Sequence, residues 1–206
     1  MQAITDLIMY FQKGGLVMWP LLACSITVIA IAIERFIYYK SVDSGVVFAS
    51  RYCAAVRSGD FAVATELARK GSGQCAQMLA DVEAVAGGKA EKSAFLESRA
   101  GIFMATLRDK LDYLGIIVTM SPLLGLLGTI VGMIGAFSIF NVEAGAPMAI
   151  TGGIGEALIA TATGLCVAIL SLCAHSYFAH RMDNMITDME QCFSALLEAE
   201  TRRGRS

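Results

Sequence analysis

Glu156 is the only formally charged side chain in the apolar stretch between Glu143 and Arg181. That stretch is long enough to cross a bilayer, where a carboxylate is costly unless it faces water, a partner group or a proton path. The carboxyl group of Glu156 can take up and release a proton, and this is the chemistry that the stretch offers. A structural acid that hydrogen-bonds across a helix interface is the alternative.

Three threonines in the apolar stretches, Thr129, Thr161 and Thr163, are candidates to line an ion pathway with Glu156. A hydroxyl both donates and accepts a hydrogen bond, so it can hold a file of water or an ion without a charge. Glu156 and Thr163 are seven residues apart and share a helix face, whereas Thr161 is rotated away from Glu156 by about 140° in an ideal helix. A hydrogen bond to the carbonyl four residues earlier is the ordinary alternative for a threonine in a membrane helix.

The elements that must position these side chains are membrane helices. The chain has 206 residues, 56% of them hydrophobic and 17% charged, with a mean hydropathy of +0.62, whereas a soluble domain has about a quarter charged residues. Three long runs, 14–33, 113–142 and 144–180, carry no formal charge apart from Glu156, and about 20 such residues cross a bilayer as a helix. We therefore expect an all-α membrane protein with three transmembrane helices, at 14–38, 113–140 and 152–179.

The positions of Lys and Arg predict the orientation of the spans. Basic residues follow the first span, precede the second and follow the third, whereas 141–151 contains none and only Lys13 precedes the first span. Because Lys and Arg collect on the cytoplasmic side, we expect the N-terminus outside and 141–151 as a periplasmic loop. The segments 42–112 and 180–206 are then cytoplasmic extensions of the spans.

Outside the spans the pattern is also helical. In residues 1–13, four apolar residues share one helix face (Ile4, Leu7, Ile8 and Phe11), which predicts an amphipathic helix on the outer membrane surface. A signal peptide is not expected, because a basic region and a cleavage site are missing. Glycines divide the cytoplasmic segment into predicted helices at 46–57, 60–70 and 74–86, followed by one long helix from Lys89 into the second span.

Small residues mark the faces on which membrane helices pack. They recur in the second span at Gly125, Gly128, Gly132 and Gly135, and in the third at Ala157, Thr161, Gly164 and Ala168. We expect close contact of these helices. We call these two rows of small residues the stripes of the second and third spans. They do not show whether the helices pack within one chain or between copies.

Other chemistry is weakly indicated. The six cysteines show no CxxC pair and no metal-type spacing, so we expect no metal or cofactor. His175 and His180 flank the inner end of the third span and are interpreted as interfacial histidines. The sequence lacks a phosphate loop, an HExxH motif and a convincing nucleophile–base pair, and its net charge of −2 does not favour nucleic acid as a partner. We therefore do not expect an enzyme.

Two longer motifs carry a resemblance to a known family. Residues 121–133 read SPLLGLLGTIVGM and residues 153–165 read GIGEALIATATGL, and these resemble the second-span and third-span signatures of the MotA/TolQ/ExbB family, closest to ExbB and TolQ. The start of the first span, 14–22, and Ile33-Glu34-Arg35 are also similar. The family's pore-lining threonines match Thr129 and Thr161, and its third-span glutamate matches Glu156.

The resemblance implies a bacterial inner-membrane homopentamer with a central lumen around a dimer of ExbD-like single-span chains. Ion flow down the proton-motive force would then drive a TonB-like protein that acts on outer-membrane transport. Glu156 lies only about five residues into the third span by the predicted topology, too near its outer end for a mid-membrane proton carrier. The resemblance places that acid on the partner, as a membrane aspartate.

One departure from the family stands late in the third span, where Ile169-Leu170-Ser171 replaces the usual Ile-Pro pair. Without proline the helix keeps its backbone hydrogen bond and its direction. The sequence leaves open whether protons or sodium ions move, and whether the system is of the Ton, Tol or motility type. A non-conducting membrane scaffold, whose polar residues only lock helix packing, is the alternative function.

Overall fold

The computed structural model describes residues 11, 14–142 and 147–203, with the side chains of these residues except 139–142, 147–150 and 203. Within these ranges every regular element is an α-helix, in the order α1 (Met18–Val42), α2 (Val46–Ser58), α3 (Phe61–Lys70), α4 (Gln74–Val82), α5 (Lys89–Arg108), α6 (Leu111–Val142) and α7 (Pro147–Arg203). The surface helix predicted for residues 1–13 lies almost wholly outside the described residues.

Three stretches of the described chain are long and apolar enough to cross a membrane, within Met18–Ser58, Lys89–Ser138 and Thr151–Arg202. Each stretch overlaps one of the three predicted spans. The prediction of an all-α protein with three membrane-capable helices is therefore confirmed for the described residues. Between 17% and 33% of the most apolar window of each stretch is buried inside the chain. Most of this apolar surface is therefore left for lipid or for other chains to cover.

The described residues form two compact units. The span unit consists of the described residues up to Ile33 together with Lys110–Ser176, and the bundle unit consists of Glu34–Asp109 together with the described residues from Tyr177 onward. The site residues predicted from sequence all belong to the span unit. The bundle unit contains α2 to α5, the end of α1 and the C-terminal part of α7.

The bundle unit owes its core to apolar residues at helical spacing. On α4, the buried residues Cys75, Met78, Leu79 and Val82 fall on one face, and on α7 a buried face is formed by Met185, Met189, Cys192 and Leu196. Glycine and aspartate residues lie where one helix of the bundle unit ends and the next begins. Gly59 adopts φ 81° after α2, and the Asp60 side chain accepts a hydrogen bond from the backbone N–H of Val63 at the start of α3.

The prediction of one long helix from Lys89 into the second span was wrong. The structure has two helices there, and residues Asp109 and Lys110 separate them. Lys110 has φ 53°, a left-handed backbone that an L-residue adopts at a cost. The side chains of Arg35 and Tyr39 on α1 reduce the cost of ending α5 here. They donate hydrogen bonds to its last carbonyl groups, Arg35 to Thr106 O (3.0 Å) and Tyr39 to Leu107 O (2.8 Å).

Arg35 is therefore expected to be important for stability. It is 3% exposed, and its Nε also donates to the Glu34 carboxylate at 2.9 Å. Since hydrogen bonds from a buried charged donor contribute about 1.5–3 kcal/mol, we expect Arg35→Ala to lower the free energy of unfolding in detergent by about 2 kcal/mol. The exposed Arg51 is the control, and Arg51→Ala should change stability by less than about 0.5 kcal/mol. Equal effects of the two variants would contradict this role.

Three free cysteines are buried in the bundle unit, Cys53, Cys75 and Cys192. The sulfur atoms of Cys53 and Cys192 are 3.9 Å apart. Burial, and next to it the Cys192 thiol, raises the pKa of Cys53 from 9.0 to about 11. The pKa of Cys192 is also raised, first by its hydrogen bond with Cys75 and then by burial. At neutral pH Cys53 and Cys192 are therefore thiols rather than thiolates, and poor nucleophiles.

The raised pKa of Cys53 predicts a loss of stability at alkaline pH. A thiol whose pKa is higher in the folded than in the unfolded protein stabilises the fold fully below the unfolded value, and this contribution is lost as the pH rises from 9.0 to about 11. We expect the unfolding temperature of the wild-type protein to fall across that range, and to fall less steeply in Cys53→Ala. Parallel curves for the two proteins would show that Cys53 ionisation is not coupled to folding.

Candidate functional site

Within the span unit, α6 and α7 approach each other through glycines. A Cβ atom built on Gly125 would lie 3.1 Å from the Cα of Thr161, and one built on Gly128 would lie 2.4 Å from the Cβ of Ala160. At Gly132 it would lie 3.0 Å from the carbonyl oxygen of Gly153. Side chains at these three positions would force the helices apart.

Of the other small residues in the two stripes, some lie in the contact between α6 and α7 and one does not. A Cβ on Gly164 would lie 2.5 Å from the carbonyl oxygen of Ser121, and Ala157 and Ala168 are buried. Gly135 differs, because a Cβ built there would have no described atom within 4 Å. In this chain the α6 stripe therefore contacts α7 only as far as Gly132.

Two contact residues on α7 were missed by sequence reasoning, Gly153 and Ala160. Ala160 is fully buried, and the space for a Cβ on Gly153 is taken by the Ala136 side chain at 2.6 Å. Both residues continue the small-residue face that includes Ala157 and Gly164, at intervals of three or four. The small-residue pattern of this contact face is present in the sequence. The predicted stripe included Thr161, whereas the contact with Gly128 is made by its neighbour Ala160.

Two serines in the spans are fully buried. Ser171, in the segment that departs from the family's Ile-Pro pair, donates its hydroxyl to the carbonyl of Leu114 at 2.9 Å. Helix α7 continues through this position, and the hydroxyl ties it to α6. The Ser121 hydroxyl has no hydrogen-bond partner among the described residues, and it stands beside Pro122, which lies inside α6.

Each of the three predicted threonines donates its hydroxyl to a backbone carbonyl. Thr161 bonds across the interface to Gly125 O at 3.1 Å, whereas Thr163 and Thr129 bond within their own helices to Ile159 O and Leu126 O. The ordinary back-bonded arrangement thus describes Thr163 and Thr129 but not Thr161. Each hydroxyl oxygen keeps its capacity to accept a hydrogen bond from water.

Thr129 also lines an open groove on the surface of α6. The groove is otherwise formed by mainly apolar side chains of the same helix, from Ile130, Met133, Ile134, Phe137 and Ser138. A polar oxygen therefore lies among apolar side chains on a face that the span unit leaves uncovered.

Glu156 is half-buried on α7. Among the residues that the structure describes, its carboxylate has no hydrogen-bond or ion-pair partner, and the three threonine hydroxyls are bonded elsewhere. Its contact is steric, with the backbone of Gly15 in the turn before α1, where a Cβ would lie 1.9 Å from Oε1. The side chain is thus placed between the start of the first span and the third span.

The described part of the chain contains no group of three or more His, Cys, Asp or Glu side chains able to hold a metal ion. His175 is half-buried near the end of the third span, and His180 lies exposed 3.4 Å from the Asn184 amide. The described features define a multi-pass helical membrane protein with a single acid inside its third span.

The comparisons with known proteins then give the family. Residues 72–191, more than half of the chain, match the MotA/TolQ/ExbB proton channel family. A Synechocystis sp. protein named ExbB-like 1 is 34% identical over 170 residues, which cover 79% of this chain and 66% of that protein. A Methanothermobacter thermautotrophicus protein named as an ExbB homolog is 30% identical over 186 residues, which cover 87% of this chain and 65% of that protein.

A shorter match is to the Tol-Pal system protein TolQ of Pseudomonas aeruginosa, 36% identical over 81 residues, 39% of this chain and 35% of that protein. The chain therefore belongs to the MotA/TolQ/ExbB proton channel family, and the resemblance drawn from the two motifs is confirmed. It is a multi-pass protein of the inner membrane, in a family of channels rather than of enzymes. The chain spans slightly less than two thirds of the Synechocystis and Methanothermobacter relatives.

Proposed function

We propose that this chain is the ExbB-like subunit of an ion-driven membrane complex. In this proposal five copies surround a dimer of ExbD-like single-span chains, and proton movement between them energises a TonB-like protein for transport across the outer membrane. The observation that carries the proposal is Glu156, a carboxylate in an apolar span without a hydrogen-bond or ion-pair partner among the described residues. A carboxylate so placed is available to exchange protons.

The energy available is adequate for such a role. One elementary charge that crosses 100 mV releases about 2.3 kcal/mol. Glu156 lies about nine residues after the start of α7 at Pro147, so it would attract and orient protons near the end of the pathway. The mid-membrane carrier would be the partner's aspartate, and the acceptor oxygens of Thr129, Thr161 and Thr163 would line the path.

The uncovered apolar faces of the spans support an assembly of several chains. Large apolar side chains are exposed on both α6 and α7, for example Leu123 (63%), Ile134 (65%) and Leu158 (64%). Lipid alone can cover such faces, but the position of the Thr129 hydroxyl among them favours a face that also meets water or a partner. In a pentamer one such face would line the lumen and the others would contact neighbouring copies.

A non-conducting scaffold is the second candidate, because the Thr161 hydroxyl already has a role in helix packing. A hydroxyl that ties α7 to Gly125 of α6 stabilises helix packing whether or not ions pass. The scaffold and the channel subunit differ in their dependence on a partner, because only the channel requires an acid-bearing single-span chain. Within the channel class, a TolQ-like subunit would use the same residues and would differ in the protein that it energises.

The experiment that tests the proposal is native mass spectrometry of this chain in detergent, co-expressed with the single-span chains encoded beside its gene. A pentamer that holds two copies of a short chain with a membrane aspartate is the expected result. A monomer, or a complex without an acid-bearing chain, would overturn the proposal and favour the scaffold.

A further inference from the structure

The turn before α1 brings Gly15 into contact with Glu156. Gly15 has φ +72°, and a Cβ built on it would lie 1.9 Å from Oε1, 2.9 Å from Cδ and 3.3 Å from Cγ of Glu156. Because real Cβ atoms essentially never approach other atoms below 3.0 Å, a side chain at position 15 would occupy the volume that the carboxylate now fills. The missing side chain of Gly15 therefore forms a notch that receives the end of Glu156.

The notch is held in place by packing on either side. A Cβ on Gly14 would lie 2.5 Å from the Met18 side chain and 3.2 Å from Ile159, so the turn lies directly against α7. The backbone N–H of Met18 donates to the carbonyl of Gly15 at 3.2 Å, which fixes the turn at the start of α1. Next to it, Val17, Met18 and Leu21 form a buried cluster. Movement of Gly15 would therefore disturb the packing of the first span.

A glutamate side chain has several rotatable bonds, and fixing them requires contacts. Among the described residues, no hydrogen bond or ion pair holds the Glu156 side chain in one conformation. Steric contact with the surrounding atoms is the remaining way to hold it. We propose that Gly15 is a positioning residue for Glu156: its left-handed, side-chain-free backbone determines where in the ion pathway the carboxylate lies. This inference rests on the proposed function for its consequence, but the contact itself can be tested separately.

The test begins with Gly15→Ala and a matched control, Gly45→Ala. Gly45 also has a positive φ, at +81°, but a Cβ there would meet no atom of the part of the chain that the structure describes within 4 Å. Both variants place an alanine at a positive φ, and among the described residues only the methyl group of Gly15→Ala would meet Glu156. In vesicles that contain the complete complex, we expect Gly15→Ala to lower proton flux about tenfold or more, since a misplacement of about 1 Å can cost up to about 100-fold. Gly45→Ala should leave the flux unchanged.

A rescue separates positioning from a general loss of structure. Glu156→Asp shortens the acid by one methylene group and withdraws it from the notch, so Gly15→Ala should cost less flux in the Glu156→Asp protein than in the wild-type protein. If Gly15→Ala lowers flux by the same factor in both backgrounds, or no more than Gly45→Ala does, the inference is overturned.

A second measurement does not depend on ion flow or on the partner chain. The unfolding temperature of the purified chain is measured for Gly15→Ala with and without Glu156→Ala. We expect Gly15→Ala to lower the unfolding temperature less once the Glu156 side chain is absent, even if Gly15→Ala alone is poorly folded. If Gly15→Ala lowers the unfolding temperature by the same amount with and without the Glu156 side chain, the contact is overturned. If this coupling is found but Glu156→Gln conducts normally, the proposed function fails while the contact between Gly15 and Glu156 stands.

Discussion

Glu156→Gln is expected to leave the protein folded and assembled but to lower proton flux by about 100-fold or more, the lower end of the effect of removing a positioned acid or base. Glutamine has nearly the same volume as glutamate and fits the same notch beside Gly15. It cannot release or take up a proton. Because Glu156 has no hydrogen-bond or ion-pair partner among the described residues, the substitution breaks no stabilising bond that the structure shows.

The control for this substitution is Glu190→Gln, an exposed glutamate further along the same helix. Flux is measured in vesicles with a pH-sensitive dye under an imposed potential, and assembly by native mass spectrometry. Glu190→Gln should conduct like the wild-type protein. Normal conduction by Glu156→Gln would make Glu156 a structural acid and favour the scaffold, and loss of assembly in that variant would do the same.

The number of membrane-capable helices could be predicted from sequence because lipid imposes a strong local rule. Every backbone polar group in the hydrocarbon must be satisfied within its own helix, so an uncharged apolar run of sufficient length has one solution. The helix boundaries at glycines in the bundle unit were also readable, since Gly59 and Gly73 have the positive φ values that glycine adopts most readily. In both cases the determining signal lies within a few residues.

Features that depend on residues far apart in sequence could not be predicted. The apolar pattern continues on both sides of Asp109 and Lys110, and the neighbouring residues do not predict that α5 ends there. The break is stabilised by Arg35, which donates to a carbonyl 71 residues along the chain. The contact between Gly15 and Glu156 is of the same kind, since neither residue's neighbours indicate the other.

The candidate site shows the same division. Spacing placed Glu156 and three threonines on the membrane helices, but it did not reveal what each hydroxyl bonds to. Thr161 and Thr163 are two residues apart, yet one bonds across to Gly125 and the other to its own helix. That difference arises because Gly125 lets the α6 backbone approach α7 at Thr161, a packing detail that only the fold supplies.

The second large effect is expected from Gly164→Ala. The new methyl group would lie 2.5 Å from the carbonyl oxygen of Ser121 and 3.0 Å from the Cα of Gly125. Both are backbone atoms of α6, so relief requires the two helices to separate. Overpacking of this kind costs about 1–3 kcal/mol, against a gain of about 1 kcal/mol in helix propensity for alanine over glycine.

The matched control is Gly155→Ala on the same helix, where a Cβ would meet no atom of the described residues within 4 Å. It gains the same helix propensity without the clash. We therefore expect Gly164→Ala to be less stable than Gly155→Ala by about 2 kcal/mol, measured as the free energy of unfolding in detergent. Equal stabilities would show that α6 and α7 tolerate a wider separation than the structure has.

The two helices are also joined at this level by a hydrogen bond, and this makes a sharper version of the test possible. Gly164 contacts Gly125, whose carbonyl accepts the hydroxyl of Thr161 at 3.1 Å. If Gly164→Ala separates the helices, that bond is already weakened, so Thr161→Val should cost less stability in the Gly164→Ala protein than in the wild-type protein. Contacting residues commonly show such coupling, whereas strictly additive losses would mean that the methyl group is accommodated without opening the interface.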